Sequence, residues 1–150
     1  MSELRELYQE VILDHNKNPR NFKKLEVHSH HANGHNPLCG DKLELFLDVT
    51  DGVINDIAFV GSGCAISTSS ASLMTQFLKG KTVADTRHYF ENFHDLVTGK
   101  ELDEEQMLNL GKLAVFAGVQ EFPARVKCAS LSWHTLMNAL DSSATVAETE

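Results

Sequence analysis

The sequence predicts an α+β domain in which helices pack on one face of a small antiparallel three-stranded sheet. Alternation of the β type is confined to the first part of the chain, where "KLELFLDV" and "VINDIAFV" flank the turn "TDG". After Gly63 the chain reads as mainly helical instead. The 150 residues, 42% of them hydrophobic, read as one domain over 1–150. A globule of this size buries roughly 70% of its unfolded surface and needs no covalent staple.

The elements follow in order. Behind Ser2, a good N-cap, Leu4, Leu7, Tyr8, Val11 and Ile12 recur at helical spacing over residues 2–16, and "NKNPRNF" stops that helix at Pro19. A third strand is expected near residues 25–31. The hairpin follows, with Leu43, Leu45, Leu47 and Val49 alternating along its first strand. From Cys64, Ile66, Leu73, Met74, Phe77 and Leu78 can share a helix face that ends near Gly80. A second helix is expected from Thr82 to about Leu96, then a polar link "TGKELDEE" and a shorter helix "QMLNLGKLAVFAGV" broken by glycines. Pro123 precedes a last helix carrying Ala129, Trp133, Leu136, Met137 and Leu140 inward. The tail, about 141–150, has no periodicity and is expected to fray.

Charge and composition narrow the function. Twenty-one acidic residues against 13 basic ones give a net charge of −8, which opposes contact with nucleic acid or anionic lipid. No apolar run approaches the ~18 residues a membrane span requires, and "MSELRELYQE" lacks the pattern of a secretion signal, so a cytoplasmic location is expected. Three cysteines in a reducing compartment argue against a disulfide framework and leave packing, metal binding or thiol chemistry.

Each cysteine is placed by its sequence context at an edge between elements. Cys39 lies in the Pro/Gly loop of "NPLCGD", Cys64 follows "GSG" at a helix start, and Cys128 lies near the start of the last helix. A thiol at a helix N-terminus feels the positive end of the macrodipole, which predicts thiolate character at Cys64 and Cys128, reinforced at Cys128 by Lys127. Three thiolates converging with the carboxylate of Asp41 would make a four-ligand set suited to Zn(II), a metal site at one end of the sheet. The intervals of 25 residues from Cys39 to Cys64 and 64 from Cys64 to Cys128 match no local zinc-finger spacing. Three unrelated buried cysteines and a solvated Asp41 therefore stay open as the plainer reading at this point.

"VILDHNKNPRNF", "NPLCGD", "GSGCAISTSSASLMTQFLKGK" and "FPARVKCASLSW", in this order, resemble the U-type iron-sulfur cluster assembly proteins, the family of IscU, SufU and the N-terminal domain of NifU. The likeness covers nearly the whole chain. Residues 84–105 are similar to an insertion of the SufU branch, and Lys127 stands where scaffold-type members carry a histidine. The resemblance implies that Cys39, Asp41, Cys64 and Cys128 bind one metal: Zn(II) in SufU-like members, or a transient [2Fe-2S] cluster in scaffold-type ones. It also implies a SufS-like cysteine desulfurase as partner, and downstream cluster-assembly or acceptor proteins.

Under that resemblance Cys39 is the expected sulfur acceptor, because a loop cysteine between Pro37 and Gly40 can leave a metal more readily than cysteines tied to helix starts. The expected function is a zinc-dependent persulfide carrier, sulfurtransferase-like rather than a stand-alone enzyme. The alternatives are a scaffold for a transient [2Fe-2S] cluster and a structural zinc domain that serves as an interaction module. Arg125 matches the SufU-like pattern and could meet the desulfurase or form a salt bridge near the site, an exposed structural arginine being the plainer reading. Lys127 could steer an anionic sulfur species or be simply solvated.

Two features invite overreading. "HSHHANGH" holds His28, His30, His31 and His35, but strand alternation separates them, so surface histidines are expected, with His35 as a group that could support or replace a ligand. "STSSAS", residues 67–72, lacks an adjacent base, and its small side chains suit close helix packing better than nucleophilic chemistry.

Overall fold

The elements run α1 (Ser2–Lys17), β1 (His30–Asn36), β2 (Asp41–Thr50), β3 (Val53–Ser62), α2 (Ala65–Leu78), α3 (Val83–Thr98), α4 (Glu104–Leu110), a 3-10 segment (Gly111–Glu121), α5 (Pro123–Leu140) and β4 (Ala147–Glu148). The structure is a computed structural model that describes residues 2–141 and 147–148, with side chains from residue 6 to residue 141. The three antiparallel strands and the helices on one face agree with the expected α+β class. The sheet order is β3-β2-β1-β4, so a two-residue parallel strand extends the expected three.

Alternation builds the sheet. Leu43, Leu45 and Leu47 of β2 and Ile54, Ile57 and Phe59 of β3 are buried, and they join one core with Ala71, Met74 and Leu78 of α2 and Leu131, Trp133 and Leu136 of α5. A register shift at Asp48/Val49 lets both Ile54 and Ile57 turn inward although they are three residues apart. The opposite face carries Phe46, packed against the rings of His28 and His31 at 5.1 and 4.9 Å between centroids.

The first strand lies at 30–36 rather than the expected 25–31. Leu25 and Val27 have the better strand propensity, yet Val27 is 79% exposed. Pairing selects His30–Asn36 because Ala32, Gly34 and Asn36 turn toward α5 and are small enough to fit beneath it. At Gly34 even a Cβ would collide with the Thr135 side chain. Propensity gives way to packing here.

α2 is buried almost all round. Ser70 Oγ donates to the Ala129 carbonyl at 2.6 Å and Ser69 Oγ to the Ile66 carbonyl at 3.2 Å, while Ser72 Oγ accepts from the Arg20 backbone at 2.8 Å and bonds His15 Nδ1 at 2.7 Å. The serine-rich stretch is therefore a packing surface, as its composition suggested, with the hydroxyls of Ser69, Ser70 and Ser72 satisfied.

α1 presents Tyr8, Val11, Ile12 and His15 to the core; Leu7, expected on that face, is 54% exposed at its edge, and the side chain of Leu4 lies outside the described ones. The glycine-broken helix expected over 106–119 is two elements. α4 opens on a capping box between Asp103 and Gln106 and ends at Gly111, and the 3-10 segment follows. Pro123 is the first residue of α5 rather than preceding it. Of the tail expected to fray, residues 142–146 and 149–150 lie outside the described residues. Asp141 pairs with Arg87 at 2.8 Å, and Ala147–Glu148 pair with Gly34 and His35 of β1.

Candidate metal centre

The β1–β2 hairpin makes the first half of the site. The Gly40 N–H donates to the Asn36 carbonyl at 2.8 Å, closing a loop over residues 37–40, and Gly40 takes the left-handed φ of +76° that lets the chain return into β2. Cys39 is exposed on this loop. Asp41, the first residue of β2, falls in phase with Leu43, Leu45 and Leu47 and so faces the helices, with none of its surface exposed.

The helices bring the second half. Cys64 is the N-cap of α2, its Sγ accepting the Ser67 N–H at 3.4 Å, and it is exposed. Cys128 lies in the second turn of α5 and is buried. Its Sγ is 3.6 Å from Cys39 Sγ. One atom each of Cys39, Asp41 and Cys128 lies within 4.8 Å of the others, close enough to share a metal ion. Cys64 borders this group, with Sγ 4.0 Å from Asp41 Oδ2. The four residues of the expected set thus come to one place from three separate stretches of sequence.

Asp41 is held from two sides. Its Oδ1 accepts the Cys64 backbone N–H at 2.9 Å, and its Oδ2 accepts Asn36 Nδ2 at 3.3 Å. A Cβ at Gly63 would lie 2.7 Å from Oδ1, so the carboxylate fits only beside a glycine. Among the described residues this buried carboxylate has no basic partner, and buried carboxylates are ordinarily paired or bound to metal. The donors, soft sulfur with one hard oxygen, fit Zn(II).

The expected acidification of Cys128 is overturned. It lies past the first turn, where the dipole effect fades, and burial pushes its thiol well above the usual range, helped by hydrogen bonds with Cys64, Asp41 and Cys39 and by the charge of Cys64. A divalent cation among these groups would reverse that penalty, since a coordinated thiol is deprotonated.

Other expected residues stay outside the cluster. Arg125 is exposed with its guanidinium 4.3 Å over the Phe122 ring and makes no ion pair among the described residues. Lys127 is half-buried beside Cys128. His31 bonds Glu44 at 2.8 Å, His28 the Leu25 carbonyl at 2.8 Å and His30 the Ser29 hydroxyl at 2.7 Å, so these three serve the surface. His35 follows Gly34 and precedes Asn36, both buried, and alternation turns it to the other face of β1. Asn36 was missed. It ends β1 three residues before Cys39 in "NPLCGD", and its amide faces Asp41 and Cys128.

No helix among the described residues is long and apolar enough to cross a membrane. A family model of NifU-like N terminal domains matches residues 7–129. The chain is 43% identical over 130 residues to the zinc-dependent sulfurtransferase SufU of Bacillus subtilis, covering 87% of this chain and 86% of that one. It is 38% identical over 145 residues to the iron-sulfur cluster assembly scaffold protein IscU of Streptococcus pyogenes, covering 96% and 89%. A crystal structure from Fervidobacterium islandicum, described as an iron-sulfur cluster assembly scaffold protein for the SUF system, superposes with a TM-score of 0.82 at 35% identity, covering 87% of this chain and 94% of that one.

Proposed function

The chain belongs to the NifU-like N-terminal domain family, and on that premise we propose that it serves iron-sulfur cluster biogenesis in the cytoplasm as a zinc-dependent sulfur acceptor. Cys39, Asp41, Cys64 and Cys128 would hold Zn(II), and Cys39 would take persulfide sulfur from a SufS-like cysteine desulfurase for downstream acceptor proteins. The observation that carries this reading is the pairing of an exposed loop thiol, Cys39, with a buried carboxylate that lacks a cationic partner, Asp41.

Zn(II), when bound, would stabilise the thiolate forms and shield them from oxidation. The chain's own residues divide the remaining tasks. Asp41, fixed by Cys64 N–H and Asn36, keeps one hard oxygen in place. Cys128 is held within the helix layer, whereas Cys39 sits on the short loop and can turn outward. In the transfer step the Cys39 thiolate attacks the outer sulfur of the donor's persulfide. The donor's S–S bond breaks, its cysteine leaves as thiolate, and a new S–S bond forms at Cys39 with no net oxidation or reduction.

A second reading, a scaffold for a transient [2Fe-2S] cluster, is supported by the name of the Streptococcus pyogenes relative and by the exposure of both Cys39 and Cys64. Metal analysis of the purified protein, paired with a desulfurase assay with and without it, separates the two. Stoichiometric zinc with strong stimulation supports the carrier. Iron with acid-labile sulfide, and no stimulation, overturns it in favour of the scaffold.

A further inference from the structure

Asn36 is the last residue of β1, paired with Asp41 across the hairpin and fully buried. Its two small inward neighbours, Ala32 and Gly34, meet the packing demands of α5 without any polar atom. An amide at this place has to answer to something else. Its Nδ2 faces two of the site residues: Asp41 Oδ2 at 3.3 Å and Cys128 Sγ at 3.7 Å. Its Oδ1 is buried without a hydrogen-bond partner. Turning the amide over would set that oxygen against the carboxylate, so the orientation is fixed by the acceptors it serves. An orphaned buried oxygen is unfavourable, and it is tolerated here because both N–H groups are used on the site.

We propose that Asn36 is a positioning residue that binds Asp41 and Cys128 into a retained pair and, with Cys64 held separately by the Ser67 N–H at 3.4 Å, leaves Cys39 as the one thiolate free to depart. This rests on the metal-site reading above and adds how the ligands are told apart. An N–H donated to a thiolate stabilises its charge and makes it a poorer nucleophile. Cys128 receives such a donor from Asn36. Cys39 receives none from it and touches the cluster through Cys128 Sγ. The same amide holds the carboxylate that remains when Cys39 swings away.

The test uses the full chain with zinc or cobalt(II) as the probe, and three readouts besides activity: zinc affinity by chelator competition, the sulfur-to-cobalt charge-transfer spectrum, and alkylation rates of individual cysteines in the zinc form. Asn36→Leu removes both N–H groups and Asn36→Ser keeps one shorter donor. Expected are roughly 10–100-fold weaker zinc binding in Asn36→Leu, a smaller loss in Asn36→Ser, an altered charge-transfer spectrum, and lost protection of Cys128. If Asn36→Leu does not fold, the same criteria apply to Asn36→Ser. The labelling order in the wild-type zinc protein requires no variant: Cys39 should react before Cys128, and the reverse order overturns the proposal. Zinc binding, spectrum and labelling unchanged in a folded variant would sink the role of Asn36 alone. Failure of the wild-type chain to bind zinc or cobalt would sink the metal-site reading on which it rests.

Discussion

The backbone N–H of Cys64 donates to Asp41 Oδ1 at 2.9 Å, so the start of α2 and the start of β2 are tied at the carboxylate itself. One residue therefore serves both as a site group and as the joint between the sheet and the helix layer. Disturbing Asp41 should therefore lower stability and metal binding together.

Asp41→Asn keeps the shape but offers one oxygen where two accept, so either the Cys64 N–H or the Asn36 amide loses its acceptor. The metal-free protein should lose about 1–3 kcal/mol, with a fall in Tm of several degrees, and zinc affinity should fall as well. Calorimetry of the chelated protein beside a competition titration reads both. An unchanged metal-free Tm would show that the Asn36 amide turns over to meet the new side chain.

Cys39→Ser changes an exposed loop atom. Stability of the metal-free protein should move by less than about 0.5 kcal/mol, whereas acceptance of labelled sulfur from a desulfurase should be lost. Continued labelling of this variant would remove Cys39 from the acceptor role.

Gly63→Ala adds one methyl group 2.7 Å from Asp41 Oδ1. Zinc binding should weaken although no ligand is touched, and the fold should lose roughly 1–3 kcal/mol from overpacking. Urea melts and the same competition titration measure the two effects. Full zinc affinity would mean that the carboxylate moves freely.

Acid should destabilise the protein through two histidines. Burial holds His134 below its ordinary 6.5, with the charge of His94 as the second cause; His15 is lowered by burial and then by Arg20. Below about pH 6.5 the unfolded chain takes up protons that the folded chain resists, so this contribution is complete above that pH and is lost as pH falls through the lowered values. The urea midpoint should drop between pH 7.5 and 5.5, and His134→Gln should flatten the drop. An unchanged slope in that variant would clear His134 of the effect.

The hairpin and the long helices were legible because Leu43, Leu45 and Leu47 alternate and α2 and α5 keep helical spacing. β1 was misplaced because "HANGHN" carries little strand propensity; its pairing is decided by what lies above it, and Thr135 is a hundred residues away in sequence. The meeting of Cys39, Asp41, Cys64 and Cys128 was legible mainly through the motifs around the three cysteines. A local signal for Asp41 was present but unread: it is in phase with the inward leucines, so a strand beginning at Asp41 places a carboxylate in the core. Cys128 misled because a thiol near a helix start in sequence proved to sit past the first turn and under cover, where burial outweighs the dipole.

The dispersal of the site over the hairpin, the cap of α2 and the second turn of α5 bears on the order of folding. Joining Cys39 to Cys128 closes a long stretch of chain, and such non-local contacts form late, after the local hairpin and helices. A cation that needs all these donors at once finds no complete site in a partly folded chain. On the proposed reading, metal loading would be a checkpoint on completed folding, and an unfinished chain would present only scattered thiols to a sulfur donor.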